Sequence, residues 1–158
     1  MPDDHGKSLG LMHPIRPATA DDLPDMLALY RELNRDDDSL SLETAGPVFA
    51  SVLAHPGLTV FVASSGQGAV ATATLNVIPN LTRNGRPYAL IENVVCLTSH
   101  RSQGFGKAVV IHAIEAAWQA GCYKAMLLTG RTDASIHRFY ESCGFVQNKT
   151  GYQVRRQA

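Results

Sequence analysis

Apolar positions change their period several times along this chain, and each change marks an element. Ile15 to Ala18 predicts a short first strand. Behind it stand Asp21, Asp22 and Pro24, residues that open a helix, and then Leu23, Met26, Leu27 and Tyr30 at helical spacing, with an end near Asn34. Arg35 to Ser41 is too polar to pack. A second helix is predicted over Pro47 to Ala54, with Val48, Val52 and Leu53 inward, until His55-Pro56-Gly57 breaks it. Leu58 to Ala63 and Ala69 to Val77 alternate and are rich in Val, Thr and Phe. Joined by Ser64 to Gly68, they predict a hairpin.

Pro79 to Pro87 reads as a loop, and Tyr88 to Cys96 as the next strand. Phe105 to Ala120 is apolar nearly all round, through Val109, Val110, Ile111, Ile114, Ala117 and Trp118, which predicts a helix buried on more than one side and capped by Gly121. Lys124 to Thr129 predicts a buried parallel strand. Thr132 or Asp133 should cap a short helix with Ile136, Phe139, Tyr140 and Cys143 on one stripe and Gly144 at its end. Phe145 to Asn148 and Tyr152 to Arg156 are the last strand candidates. The order of elements is that of an α+β mixed sheet. Residues 1 to 12 are expected to be a flexible tail, and 13 to 158 a single domain.

One junction carries chemistry. The strand through Val94, Val95 and Cys96 ends in Arg101-Ser102-Gln103-Gly104-Phe105-Gly106-Lys107 and then a helix. Two glycines let the backbone approach an anion, the free N–H groups and the positive end of the helix attract it, and Arg101 adds a charge. The spacing excludes a P-loop, which needs Gly at Arg101 and Ser or Thr at Ala108. It also excludes a dinucleotide fingerprint, which needs its third Gly at Val109.

Arg101-x-x-Gly104-x-Gly106 resembles the acyl-CoA signature of the GNAT superfamily of N-acetyltransferases. Phe139-Tyr140-Glu141-Ser142-Cys143-Gly144-Phe145 is similar to that family's second signature, at the right distance and in the right order. The resemblance implies the GNAT fold, a mixed central sheet of about six or seven strands flanked by about four helices. It also implies acetyl-CoA as co-substrate and direct transfer of its acetyl group to an amine.

By the same resemblance, Arg101, Ser102, Gln103, Gly104, Phe105, Gly106 and Lys107 cradle the pyrophosphate. Val94 and Cys96 bond the pantetheine amides, and a main-chain N–H of Val94 or Val95 polarises the thioester carbonyl. Tyr140 donates a proton to the leaving thiolate; a phenol of pKa ~10 is protonated at neutral pH. The alternative is a core tyrosine bonded elsewhere. Glu92 is the candidate general base, or else a residue that only orients substrate. Relatives carry Asn where Asp133 stands, so Asp133 is either a cofactor contact or only an N-cap. Arg138, one turn on, reaches a CoA phosphate or lies in solvent.

Composition narrows the class. The 158 residues carry 14 basic and 14 acidic side chains, which argues against nucleic acid as a partner. No run approaches a membrane span and no signal peptide opens the chain, so a cytoplasmic location is expected. Cys96, Cys122 and Cys143 lack metal or disulfide spacing and read as buried small hydrophobes. His100, His112 and His137 lack mutual ligand spacing, so no metal is expected.

Glu92-Asn93, Gly121 to Lys124 and Phe139 to Phe145 are similar to the glucosamine-phosphate N-acetyltransferases, which suggests an anionic small amine read by Arg83, Arg86 and Arg131. Asp36-Asp37-Asp38 suggests instead a cationic amine, or a solvated loop. Rival readings are a protein or peptide N-acetyltransferase and a non-catalytic acyl-CoA-binding module. Homodimerisation is common among similar enzymes.

Overall fold

The computed structural model describes residues 13–157, and the expected tail, residues 1 to 12, lies outside the described residues. The chain divides into two compact units, up to Leu127 and from Leu128 onward.

In the first unit a five-stranded sheet runs in the order β1 (Ile15–Pro17), β2 (Leu58–Ser64), β3 (Ala69–Ile78), β4 (Tyr88–Cys96) and β5 (Ala125–Met126). The first four strands are antiparallel neighbours, and β5 joins β4 in parallel. Helices α1 (Leu23–Leu33), α2 (Leu42–Ala54) and α3 (Phe105–Gln119) belong to the same unit, with short helical turns at Ala20–Asp22, at Thr98–His100 and at Thr82–Gly85, inside the expected loop.

The predicted hairpin forms because Leu58–Ser64 and Ala69–Ile78 present β-branched side chains on both faces. Val60 and Val62 turn to a core built with Met26 and Leu29 of α1, Phe49 of α2 and Val95 of β4. Phe61, pointing the other way, meets His112 of α3 edge-on at 4.8 Å, so α1 and α3 cover opposite faces of the sheet. Met26 and Leu29 are fully buried, and each such side chain stabilises the fold by about 2 to 3 kcal/mol.

The entrance to α1 is tied electrostatically. Asp22, buried, accepts two bonds from Arg16 at 2.7 and 2.8 Å and one from the Thr19 N–H at 2.7 Å. The Arg16 bond holds the Asp22 carboxyl below the usual carboxylate range; burial opposes this and the Thr19 N–H reinforces it.

Several boundaries differ from expectation. Helix α2 starts at Leu42, five residues early, because Ser41 caps it by accepting the Thr44 N–H at 3.1 Å; Pro47 is carried inside. That phase buries Ala45 and Phe49 and leaves Val48, expected inward, 56% exposed. Helix α3 is one residue shorter than predicted. Its buried stripe is Ala108, Val109, Val110, Ala113 and Ala117, while Trp118 is 50% exposed. Gly121 takes a positive φ of 82°, and the Gly121 and Cys122 N–H groups bond back to Trp118 and Ala117 in a Schellman closure.

Among the described residues the sheet has five strands where about six or seven were expected. The predicted strand Lys124 to Thr129 keeps only its Ala125–Met126 pairing with β4.

The second unit contains α4 (Ala134–Ser142), closed at Gly144 with φ 98°. Phe145 to Asn148 and Tyr152 to Arg156 are not strands, and Val146, Tyr152 and Val154 are exposed. A pair of strands needs a third neighbour or a packed face to hold it, and neither segment pairs with a strand among the described residues.

Candidate active site

The ladder between β3 and β4 breaks where the chemistry was expected. Thr74 pairs with Glu92 and Thr72 with Val95, so one residue of β3 faces two of β4, Asn93 and Val94. This is a bulge, and Asn93 opens it with φ 53°. On its other edge β4 pairs with β5 only at Ala89 and Leu90. Past that point, no strand covers this edge among the described residues. The Leu97 N–H bonds back to Val70 O at 2.9 Å, so by alternation the Cys96 backbone faces away from β3, where its carbonyl accepts Arg101 Nε at 3.3 Å.

Glu92 lines a cavity of about 300 Å³ with Tyr30, Phe49, Val52, Leu58, Thr74, Asn76 and Asn93. A second cavity, of about 240 Å³, shares Tyr30 and Asn93 with it and is lined further by Leu27, Arg31, Asn34, Asp37, Asp38, Ser39 and Leu40. Burial pushes the Tyr30 phenol up, and the neighbouring Thr74 hydroxyl opposes the shift. Thr74 Oγ1 is buried beside the Tyr30 phenol and makes no hydrogen bond among the described residues.

After Cys96 the chain makes a single turn at Thr98–His100, places Ser102 at φ 61° and Gly104 at φ 88°, and enters α3. Gly104 is the N-cap. The N–H groups of Phe105, Gly106 and Lys107 in the first turn have no carbonyl partner within the helix, as helix geometry requires.

Two residues that sequence reasoning passed over fix this turn. Buried His13 bonds through Nε2 to Gln103 O at 2.8 Å and packs its ring against Phe105 at 4.0 Å. Glu32 of α1 accepts the Thr98 N–H and hydroxyl, both at 2.8 Å, and stands 3.9 Å from Arg101. Burial raises the Glu32 carboxyl, but the Thr98 bonds and the charges of Arg101 and Arg35 outweigh it and hold the group below its usual range. Neither residue has a local sequence signal, since each acts on the turn from 66 or more positions away.

Cys96 is half-buried, and burial pushes its thiol up more than Arg101 lowers it. A protonated thiol is a poor nucleophile. Of the three cysteines expected to be buried, only Cys122 is; Cys96 and Cys143 are partly exposed. Among the described residues no three His, Cys, Asp or Glu side chains group as a metal site would require.

In the second unit the Tyr140 ring meets Phe139 at 5.1 Å and Phe145 at 6.1 Å, on the stripe the periodicity predicted. Asp133 stands at the N-cap of α4, but its side chain makes no capping bond. Arg138 is exposed on the same helix, and Arg131 O is within 3.2 Å of His137 Nε2. Back in the first unit, Arg83 and Arg86 reach the Tyr123 ring at 5.7 and 5.8 Å, and Lys124 reaches it at 5.4 Å.

Comparison with known proteins decides the family. The sequence profile of the Acetyltransferase (GNAT) family matches residues 23–145. The chain belongs to the GNAT acetyltransferase family. The solved "Putative acetyltransferase from Agrobacterium tumefaciens str. C58" is similar, with 59% identity and a TM-score of 0.88 over 90% of this chain and 99% of that one. Three curated relatives also match, among them these two. A glucosamine 6-phosphate N-acetyltransferase of Trypanosoma brucei brucei is 40% identical over 76 residues, 48% of this chain and 50% of the relative. A probable glucosamine 6-phosphate N-acetyltransferase 2 of Oryza sativa subsp. japonica is 35% identical over 78 residues, 49% of this chain and 45% of the relative. The matches thus span about half the length of these curated relatives.

For this GNAT chain the first unit brings Glu92, the bulge, Cys96 and the Arg101 to Lys107 turn onto one continuous path along β4 and into α3. Tyr140, Asp133 and Arg138 lie together on α4 of the second unit. No helix among the described residues is long and apolar enough to cross a membrane.

Proposed function

We propose that this chain transfers the acetyl group of acetyl-CoA, the co-substrate of GNAT acetyltransferases, to a primary amine of a small metabolite. The supporting observation is that a cavity-lining carboxylate, a bulge, a strand edge left unpaired among the described residues and a turn that opens a helix N-terminus succeed one another on one stretch of chain. An extended pantetheine arm fits an open strand edge, bonding to the backbone of Val94 and Cys96 as an added strand would. The N–H groups of the Arg101 to Lys107 turn, with the charges at its two ends, suit a pyrophosphate.

An alkylammonium with pKa ~10 must lose a proton before it can attack. Glu92, directly or through water, takes it. The free amine adds to the thioester carbonyl, whose oxygen is polarised by a main-chain N–H of Val94 or Val95. The C–N bond forms, the C–S bond breaks, and the thiolate takes its proton from the Tyr140 hydroxyl; the second proton, lost by the nitrogen as the amide forms, passes through water to restore the phenol, and Glu92 returns the first to solvent. Asp133 and Arg138 serve as further contacts to the cofactor.

An amino-sugar phosphate is the first acceptor to test, because the curated relatives named above are glucosamine 6-phosphate N-acetyltransferases and Arg83, Arg86 and Arg131 are exposed cations. A cationic polyamine is the second, favoured by Asp37 and Asp38 in the cavity beside that of Glu92. The reading has the enzyme working in the cytoplasm as a homodimer. Thiol release from acetyl-CoA is the test, with glucosamine 6-phosphate, spermidine and short peptides offered in parallel. Turnover of the sugar phosphate or the polyamine supports the proposal. Turnover of peptides alone contradicts it.

A further inference from the structure

Asn93 holds a backbone conformation that glycine would hold more easily. At φ 53° it opens the bulge of β4, a left-handed position where side chains are disfavoured and Asn is only tolerated. Asn93 is exposed, and its side-chain amide makes no hydrogen bond among the described residues. With Tyr30, it is common to both cavities, the one holding Glu92 and Thr74 and the one holding Asp37 and Asp38. In the first of these, Thr74 Oγ1 is a second polar group without a partner.

A bulge needs only a residue that accepts a positive φ. An exposed amide would ordinarily be hydrated, and glycine in its place would relieve the backbone with nothing lost. A strained position that carries an unpaired amide into a cavity wall, one residue after the candidate base, has a use for that amide.

We propose that Asn93 is a specificity-determining residue, binding polar groups of the acceptor amine through its side-chain amide as the acceptor lies across the wall between the two cavities. The inference rests on the reading that the Glu92 cavity receives the acceptor.

The test compares wild type with Asn93→Gly and Asn93→Asp, using glucosamine 6-phosphate and spermidine as probes. Acceptor KM and kcat, the acetyl-CoA Kd and Tm are measured. Asn93→Gly is expected to raise Tm by about 2 °C through backbone relief. It should leave the acetyl-CoA Kd within about twofold and raise acceptor KM about tenfold, the loss of one good hydrogen bond. Asn93→Asp also tolerates the left-handed position, but adds a negative charge. It should shift the ratio of kcat/KM between the probes toward spermidine by about tenfold, which a purely structural residue would not do. Unchanged acceptor KM in Asn93→Gly, together with an unchanged ratio in Asn93→Asp, would overturn the proposal alone. A wild type that binds acetyl-CoA but neither binds nor turns over either probe would overturn the acceptor reading of the cavity, and this inference with it.

Discussion

The two halves of β4 are made of similar residues and end in different surroundings. From Tyr88 to Leu90 the strand has β3 on one side and, at Ala89 and Leu90, β5 on the other. From Glu92 onward, among the described residues, it has β3 alone, and even that ladder is interrupted at Asn93 and Val94. The doubly paired half is spent on stability. The other half leaves its outer backbone edge without a paired strand among the described residues.

Ile91 lies between the halves, fully buried. Ile91→Ala is expected to destabilise the chain by about 3 kcal/mol, from lost transfer energy plus a cavity. A denaturant titration with an unchanged slope checks it. A loss below about 1 kcal/mol would mean that this part of β4 is not core.

Glu92→Gln should do the opposite, moving Tm by no more than about 1 °C and lowering kcat about 10²-fold at neutral pH, the usual range for a general base. Steady-state thiol release measures it. A large fall in Tm with little change in kcat would erase the distinction between the halves.

His13→Ala removes the bond to Gln103 O and the ring contact with Phe105 that pin the Arg101 to Lys107 turn, where the proposal seats the pyrophosphate. Acetyl-CoA should bind about fivefold more weakly, in keeping with about 1 kcal/mol for one such bond. Calorimetric titration gives the number. Unchanged affinity would show that the turn holds its shape without the pin.

The smallest effect is expected far from β4. The Asp22 carboxyl has a folded pKa below its unfolded value, so the stability it contributes is present above the unfolded pKa of about 3.9 and is lost as pH falls through the folded one. Wild type should therefore lose stability faster than Asp22→Asn on acidification below about pH 4. Parallel slopes in a pH series of thermal melts would contradict the Arg16 pairing.

Much of this was legible in the sequence because it is local. The β2–β3 hairpin, the ends of α1 and the Gly104 entry to α3 follow from alternation, caps and glycines within a few residues. The family was legible for the same reason, from two short motifs. What escaped was tertiary. His13 and Glu32 reach the turn between β4 and α3 from distant positions, and the Asn93 bulge is defined by what β3 does opposite it. The strand reading of Lys124 to Thr129 and of Phe145 to Arg156 went too far because strand-like composition does not supply a neighbour to pair with. Ser41 outweighed Pro47 at the start of α2, since one satisfied cap is enough to begin a helix.

The central claim is that the half of β4 beginning at Glu92 is where an amine meets acetyl-CoA. The most direct measurement is saturating thiol release from acetyl-CoA with glucosamine 6-phosphate and spermidine, wild type against Glu92→Gln, with both chains shown by calorimetry to bind acetyl-CoA equally. Wild-type turnover of at least one amine, reduced about 10²-fold in the variant, is the expected result. Equal turnover in the two chains would contradict the claim and place the chemistry elsewhere in the molecule.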